Sequence, residues 1–321
     1  MAEMLLRTIE LSKSFPARRV SANGKRVKNV AVDRVSLSVP EGETLGLVGE
    51  SGCGKSTLAL MLMRLYLPTS GRILFAGQDI TTLSEGALKP VRRQMQMIFQ
   101  DPLASLDPRL TVLQIISEPL NIHAIGTRAS RIEAVSQLLE RVGLNASDMQ
   151  RYPGEFSGGQ QQRLGIARAL ALRPRLLICD EPVSALDVSV QAQILNLLRD
   201  LQDEFKLAYL FISHNIAVTA FMSRRIGVMY LGQLVEVGPN ERIVNAPRHP
   251  YTRALLAAVP EPDPLRRKDA CEVEGDAPLS AGRPAGCPFR TRCPLAEARC
   301  ATEEPQLRPV GEAHEVACHF A

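Results

Sequence analysis

Short apolar runs recur along the first 240 residues and are separated by stretches with helical periodicity. Each run has the length and apolar composition of a buried strand. The clearest examples are TLGLVGE (44–50), MQMIFQ (95–100), LLICDE (176–181) and YLFISH (209–214). Because buried strands that alternate with helices are typical of a parallel sheet, the pattern predicts an α/β fold.

The strand-like runs stop between Asp101 and Arg175, where helical periodicity takes over. One segment in this region has apolar residues at the spacing of a single helix face, namely Ile132, Val135, Leu138, Leu139 and Val142. We therefore expect a helical subdomain inserted into the α/β domain over about residues 101–175.

The composition of the chain changes after residue 240. Half of the 22 prolines and five of the seven cysteines lie in this last quarter. A chain of 321 residues that is 45% hydrophobic can form one large domain and a smaller appendage. We therefore predict an α/β domain over residues 1–240 and a small Cys/Pro-rich C-terminal extension over residues 241–321.

Charge and hydropathy argue against several classes of protein. The net charge is +4 and aromatic residues make up 4% of the chain, without a basic run interleaved with aromatics, so no nucleic acid is expected as a partner. The N-terminal segment lacks the apolar core of a secretory signal, and no stretch approaches the roughly 18 apolar residues of a membrane span. We expect a cytosolic protein, in which clustered cysteines favour metal binding over disulfides.

The strongest chemical signal is GESGCGKST at residues 49–57, which follows a predicted strand and precedes a predicted helix. It fits the phosphate-loop pattern G-x-x-x-x-G-K-[ST], in which glycines let backbone N–H groups surround a phosphate. Lys55 would neutralise β- and γ-phosphate oxygens, and the Ser56 hydroxyl would bind Mg²⁺. The side chain of Cys53 has no required role. The candidate nucleotide-binding residues of the loop are Gly49, Ser51, Gly52, Cys53, Gly54, Lys55, Ser56 and Thr57.

A second signal is RLLICDE at residues 175–181, a predicted strand that would deliver two carboxylates at its end, beside the phosphate loop. Asp180 would hold Mg²⁺ through water, and Glu181 would activate the water that attacks the γ-phosphate. Two acids after a strand are weak evidence alone, but the phosphate loop upstream favours this functional interpretation. Cys179 is predicted to be a small buried side chain.

A second anion site is predicted at EFSGGQQQR, residues 155–163, because Ser157, Gly158 and Gly159 would begin a helix with unpaired N–H groups. At this segment the sequence resembles the nucleotide-binding subunits of ABC transporters, whose signature is close to F-S-G-G-Q. The resemblance covers residues 5 to about 240. It rests on motifs in the family's order, which are the phosphate loop, Gln100, Ser157 to Gln160, Asp180 and Glu181, SALD at 184–187, and His214.

The resemblance implies an ABC nucleotide-binding domain of the P-loop NTPase class, in which two head-to-tail subunits enclose two ATP molecules. The signature residues of one subunit would contact the ATP on the partner's phosphate loop, and these are Ser157, Gly158, Gly159 and Gln160.

The same resemblance implies roles for four further residues. Gln100 would contact Mg²⁺ as a sensor, and His214 would contact the γ-phosphate. Asp187 would lie at the seam between the two subunits. Phe15 is the best match to the aromatic residue that stacks on adenine, and Val20 is the alternative.

The tail indicates the transported solute. RHPYTRALLAAVP (248–260), the cysteine-rich end and FQDPLASLDPR (99–109) resemble the peptide and nickel importers of the ABC family. This resemblance implies an ATPase subunit at the cytoplasmic face of the inner membrane that powers import of di- or oligopeptides, with nickel, glutathione or another small solute as alternatives. Its partners would be a sister ATPase in a heterodimer, two membrane permease subunits and, indirectly, an extracytoplasmic solute-binding protein.

A DNA-repair or chromosome ATPase is the alternative from another class. Those proteins share the phosphate loop and the signature, but they carry long coiled coils or zinc insertions between the motifs. The 100 residues from Gly54 to Gly154 leave no room for such an insertion, which favours the transport function.

Four cysteines of the tail, Cys287, Cys293, Cys300 and Cys318, form a candidate metal site, while Cys271 stands apart. Four thiolates suit a tetrahedral Zn²⁺ ion or an iron–sulfur cluster, and the spacing leaves both open. His314 and His319 are close enough in sequence to replace a cysteine. The resemblance to peptide importers implies a structural [4Fe–4S] cluster on the four cysteines.

Overall fold

A computed structural model describes residues 4–20, 26–259 and 284–321, without the side chains of residues 17–28. The chain divides into two compact units. The first unit comprises the described residues within Met1–Leu5, Pro40–Glu43 and Thr82–Leu210. The second comprises those within Leu6–Val39, Thr44–Thr81 and Phe211–Ala321.

The described residues form the following strands: β1 (Met4–Val20), β2 (Arg26–Val35), β3 (Ser38–Pro40), β4 (Thr44–Val48), β5 (Ser70–Phe75), β6 (Gln78–Asp79), β7 (Met95–Ile98), β8 (Leu176–Asp180), β9 (Ala208–Ser213), β10 (Arg225–Tyr230), β11 (Gln233–Pro239), β12 (Arg308–Gly311) and β13 (His314–Val316). The α-helices are α1 (Lys55–Leu62), α2 (Glu85–Gln94), α3 (Pro102–Ser105), α4 (Val112–Ile122), α5 (Arg128–Arg141), α6 (Gly158–Leu170), α7 (Val188–Phe205), α8 (Ile216–Met222), α9 (Asn240–Asn245), α10 (Pro250–Ala257) and α11 (Ala298–Thr302). Two 3₁₀ helices span Ala146–Gln150 and Pro153–Glu155.

Parallel strands in the first unit end at its candidate catalytic residues. Strand β7 pairs in parallel with β8, with Met95 opposite Leu176 and Ile98 opposite Cys179. Every residue of β8 is buried, as expected for a strand covered on both faces. Strand β8 therefore holds Asp180 at the end of a rigid element.

Helices α3 to α6 lie between β7 and β8 in the chain, where helical periodicity was predicted. Capping boxes begin α4, α5 and α6, because the side chain of each N-cap residue and that of the third helical residue bond each other's backbone N–H. The predicted apolar face of α5 is buried at Val135 and Leu139, whereas Ile132 is 37% exposed.

The second unit combines parallel and antiparallel strands. Strand β4 pairs in parallel with β10, and β10 pairs antiparallel with β11. Strand β13 continues this pairing on β11, and β12 pairs with β13. A second sheet, in the order β2-β1-β5-β6, is antiparallel and was not predicted from the sequence. The fold is therefore mixed α/β rather than purely parallel.

The end of the chain packs into the core of the second unit. Phe289 is 1% exposed and lies in a buried cluster with residues of β10 and α10 and with Cys287 and Cys300. Its ring centroid is 5.3 Å from that of Tyr230 and 5.5 Å from that of Tyr251. These aromatic contacts anchor the segment that carries the tail cysteines.

Candidate functional site

The loop between β4 and α1 has a backbone that only glycine fits at two positions. A Cβ atom on Gly49 would lie 2.1 Å from the carbonyl oxygen of Met229. Gly54 has a φ of +106°, and a Cβ atom there would lie 2.1 Å from the carbonyl oxygen of Ala31. The glycines of the phosphate-loop pattern are therefore required by the packing of the loop as well as by access of a phosphate to its N–H groups.

Lys55 begins helix α1 and is folded onto the loop. Its Nζ donates to the carbonyl oxygens of Gly49, at 2.7 Å, and Glu50, at 2.9 Å. Lys55 is only 3% exposed. A nucleotide phosphate can replace these carbonyl contacts because it offers stronger, charged acceptors to the same ammonium group.

The remaining residues of the loop differ in exposure. Ser51 and Gly52 are exposed, while Ser56 and Thr57 are half-buried at the start of α1. Burial raises the pKa of the Cys53 thiol, although the nearby Lys55 opposes this. Cys53 therefore stays protonated and unreactive, as expected for a small loop residue.

The two predicted carboxylates lie at the carboxyl end of β8 in the first unit. Asp180 is 5% exposed and Glu181 is 8% exposed. Glu181 has a φ of +47°, a left-handed conformation that is strained for a residue with a side chain. Such strain persists only where the surrounding structure imposes it, and it is frequent at functional positions.

Gln100 follows β7 and reaches the same place. Its Nε2 lies 3.4 Å from Oε2 of Glu181, at hydrogen-bond distance. The structure of the first unit therefore brings together the predicted sensor glutamine and the predicted water-activating carboxylate, although they are 81 residues apart in the chain.

The segment FSGGQ forms a capped helix start. The Ser157 hydroxyl accepts the Gln160 N–H at 3.4 Å, and the Gln160 side chain accepts the Ser157 N–H at 2.9 Å. This capping box accounts for the serine and the glutamine of the segment, and the spacing S-x-x-Q could have predicted it. Gly158 and Gly159 lie between Ser157 and Gln160 at the start of the helix. Their N–H groups have no partner within the helix.

The two glycines differ in their surroundings. A Cβ atom on Gly158 would be 3.6 Å from Cδ2 of Leu186, an ordinary contact. A Cβ atom on Gly159 would be 2.5 Å from Cγ1 of Val190, so Gly159 allows α6 to approach α7 closely. Space alone therefore does not require glycine at position 158.

Three other predicted residues lie at exposed or half-buried positions. Asp187 is the exposed N-cap residue of α7 in the first unit, and Val188 beside it is 82% exposed. In the second unit, His214 is exposed between β9 and α8. Phe15 is half-buried against Tyr66, with ring centroids 5.5 Å apart. The side chain of Val20, the alternative to Phe15, lies outside the described part of the chain.

The four tail cysteines lie close enough to influence one another. Burial raises the pKa of Cys287 to about 11, and Cys300, Cys293 and Cys318 add to the rise. Burial also raises the pKa of Cys293, helped by Cys318 and Cys300. The N–H of Cys287 donates to the carbonyl oxygen of Cys300 at 2.8 Å, which joins the two ends of the segment. Cys271 is outside the described residues.

Three of these cysteines share a local geometry that suits a bound thiolate. The N–H of Phe320 donates to Sγ of Cys318 at 3.5 Å, and the N–H groups of Phe289 and Leu295 oppose the rise in the pKa of Cys287 and Cys293. Such N–H···S bonds stabilise negative sulfur and tune iron–sulfur clusters. Within the described ranges, however, no three side chains of His, Cys, Asp or Glu are placed to hold one metal ion together. The residues thus fit the chemistry of a thiolate site, without forming a preformed site for a single ion.

The two histidines of the tail have other partners. Nε2 of His314 lies 2.8 Å from Oε1 of Glu236, in a buried pair. The ring of His319 contacts Arg299 at 2.8 Å and the carbonyl oxygen of Glu303 at 3.1 Å. In the structure, both histidines are therefore bonded to groups other than the tail cysteines.

Comparisons with known proteins agree with the geometry of both units. Residues 32–184 match the ABC transporter family, and residues 235–300 match the C-terminal region of oligopeptide/dipeptide transporters. The chain is 51% identical over 321 residues to the oligopeptide transport ATP-binding protein AppF of Bacillus subtilis (strain 168), covering 99% of this chain and 98% of AppF. The chain belongs to the ATP-binding proteins of ABC transporters.

Further relatives of this ABC ATPase support the assignment. The probable peptide ABC transporter ATP-binding protein y4tS of Sinorhizobium fredii is 52% identical, over 99% of this chain and 90% of its own. The ATP-binding cassette MJ0796, solved as a dimer bound to ADP and Pi, matches 73% of this chain and 98% of its own, with a TM-score of 0.65 at 28% identity. These matches confirm the family resemblance, and the protein is an ATPase. None of its described helices is long and apolar enough to cross a membrane.

Proposed function

We propose that this ATPase powers the import of di- or oligopeptides across the cytoplasmic membrane. The observation that carries the proposal is its 51% identity to an oligopeptide transport ATP-binding protein along nearly the whole of both chains. The match of residues 235–300 to the oligopeptide/dipeptide transporter region supports it, because that region lies outside the nucleotide-binding motifs.

In the proposed reaction, the loop at residues 49–57 binds the phosphates of ATP through its N–H groups and Lys55. Mg²⁺ neutralises charge on the phosphates when bound, with Ser56, Gln100 and Asp180 as its candidate ligands. Glu181 accepts a proton from the attacking water, and its contact with Gln100 orients the carboxylate.

The other candidate residues complete the site. His214 donates a hydrogen bond to the γ-phosphate, and Phe15 stacks on the adenine. The N–H groups at the start of α6 bind the γ-phosphate of ATP held by a second ATPase subunit, with Asp187 at the seam. The dimeric structure of MJ0796 supports this arrangement. Because ATP contacts both subunits, it favours the closed dimer.

We further propose a peripheral position at the cytoplasmic face of the inner membrane. The second ATPase subunit is a sister protein, and two permease subunits and a solute-binding protein complete the importer. The helices between residues 101 and 175 form the helical subdomain of the cassette, and residues 241–321 form the Cys/Pro-rich extension.

Co-purification tests the transport function. Tagged permease and sister subunits should retain the chain, and its ATPase activity should rise when di- or oligopeptides and their binding protein are added to the reconstituted complex. If nickel or glutathione stimulated the ATPase activity and peptides did not, that solute rather than a peptide would be the one transported. Failure to associate with any permease would contradict an importer.

We propose that Cys287, Cys293, Cys300 and Cys318 hold a [4Fe–4S] cluster, with Zn²⁺ as the alternative metal. Two observations support a four-thiolate site: the thiols lie close enough to raise one another's pKa, and backbone N–H groups approach their sulfurs. A bound cluster would cross-link the tail and release thiol protons. Its role is structural, because the segment packs into the core through Phe289.

Replacement of Cys293 by serine tests this site. Anaerobically purified protein should be brown and contain iron and sulfide, whereas Cys293→Ser should lose the colour because one of four ligands is missing. Cys271→Ser is the matched control and should keep it. Colourless protein with stoichiometric zinc would contradict the cluster but retain the four-thiolate site, and protein without metal would contradict both.

A further inference from the structure

The C-terminal part of the chain contacts the phosphate loop at a variable position of the phosphate-binding pattern. Glu50 follows the first glycine of the loop, and its backbone N–H donates to the hydroxyl of Tyr251 at 2.9 Å. Its carboxylate oxygen Oε2 accepts from Nη1 of Arg292, also at 2.9 Å. All three residues belong to the second unit. Glu50 is therefore bonded through both its backbone and its side chain.

Both partners of Glu50 are held firmly by their surroundings. Tyr251 is 1% exposed, its ring lies 4.7 Å from that of Tyr230, and its own N–H donates to Nδ1 of His249 at 3.0 Å. Burial raises the pKa of the Tyr251 hydroxyl, so this group stays protonated. The Arg292 side chain is 10% exposed and lies between the two cysteines Cys287 and Cys293 in the chain.

Glu50 also contacts the group that would bind phosphate. Its carbonyl oxygen is one of the acceptors that hold the Lys55 ammonium group. A displacement of Glu50 would therefore move an acceptor of Lys55 and the backbone that precedes the phosphate-binding N–H groups. Small displacements of positioned groups have large effects on binding and reaction.

We propose that Tyr251 and Arg292 are positioning residues that act through Glu50 to hold the phosphate loop in the conformation that binds ATP. The inference rests on the proposed binding of ATP at this loop and adds residues that do not touch the nucleotide. The extension thereby sets the nucleotide affinity of its own subunit. The charged pair contributes more than a surface pair because Arg292 is nearly buried.

Titration with trinitrophenyl-ATP on the full chain tests the proposal. Arg292→Met and Glu50→Gln should each weaken binding about 10-fold, since each removes the same ion pair and couplings between separated sites commonly span about 5- to 150-fold. The KM for ATP should rise in parallel, while the kcat of Arg292→Met at saturating ATP stays within about twofold because the catalytic groups are untouched. Arg292→Lys should restore most of the affinity.

Two further variants separate positioning from folding. Tyr251→Phe keeps the ring packing and removes only the acceptor of the Glu50 N–H, so it should weaken binding while lowering the melting temperature by only a few degrees. Arg299→Met is the matched control, because this exposed arginine of the same segment bonds His319 instead, and it should bind as wild type.

The double variant Glu50→Gln/Arg292→Met decides whether Arg292 acts through Glu50. Its affinity should equal that of the single variants, because the same contact cannot be lost twice. Wild-type affinity in both single variants, or losses that multiply in the double variant, would overturn the inference. A wild-type protein that does not bind ATP would instead overturn the proposed function.

Discussion

Glu181→Gln is expected to lower ATP hydrolysis by at least about 10²-fold, the range in which general-base catalysis contributes. The variant lacks the carboxylate that accepts the proton of the attacking water, while Lys55 and the phosphate loop are unchanged. ATP should therefore still bind, and an ATP-bound dimer should accumulate. Phosphate release and size-exclusion chromatography with ATP measure the two effects.

Glutamine is the appropriate replacement at this position for a structural reason. Glu181 has a φ of +47°, and any side chain that replaces it bears the same backbone strain, whereas glycine would also change the backbone freedom. A glutamine oxygen can still accept from Nε2 of Gln100, which now lies 3.4 Å from the carboxylate. The control Glu140→Gln removes an exposed carboxylate of α5 and should retain full activity. Wild-type turnover in Glu181→Gln would show that another group activates the water.

The four strands predicted from apolar runs are present as β4, β7, β8 and β9, within two residues of the predicted bounds. All side chains of β4, β8 and β9 are buried, as are three of the four in β7, so that hydrophobicity identifies these strands. The phosphate loop was predictable for a different reason. Its glycines and Lys55 stand at a fixed spacing within nine consecutive residues, so the motif can be identified from the local sequence, although Gly49 and Gly54 also meet the distant Met229 and Ala31.

The antiparallel sheet could not be predicted in the same way. Strand β1 pairs with both β2 and β5, and its register shifts between Ile9 and Ser12 and again between Leu11 and Lys13. Glu10 has a φ of +45° at this irregularity. Because each shift interrupts the alternation of buried and exposed side chains, the period of two that identifies a half-buried strand is lost.

Contacts between residues far apart in the chain could not be predicted from the sequence either. The partners of Glu50 are 201 and 242 residues away, and nothing in the local pattern around Tyr251 or Arg292 indicates a loop contact. The buried pair of His314 with Glu236 likewise depends on the pairing of β13 with β11. Sequence patterns report which side chains are buried, whereas tertiary structure decides what they bond.

Gly158→Asp is expected to abolish hydrolysis by the assembled dimer while leaving ATP binding to the isolated subunit intact. The substitution places a carboxylate at the start of α6, where the N–H groups are proposed to contact the γ-phosphate of the partner's ATP. Loss of a single preorganised N–H donor typically costs about 10²- to 10³-fold, and the added negative charge also repels phosphate. Phosphate release by the dimer and trinitrophenyl-ATP binding to the monomer measure the two effects.

The fold should tolerate this change, which makes the result interpretable. A Cβ atom at position 158 has an ordinary contact of 3.6 Å with Leu186, and a carboxylate in the first turn of a helix is favourable to the helix dipole. Gly158→Asn is the matched control, since it adds the same bulk without charge and should lose less activity than the aspartate variant. If Gly158→Asp instead prevents the isolated subunit from binding ATP, then the start of α6 contacts the nucleotide of its own phosphate loop, and the arrangement of two shared sites is wrong.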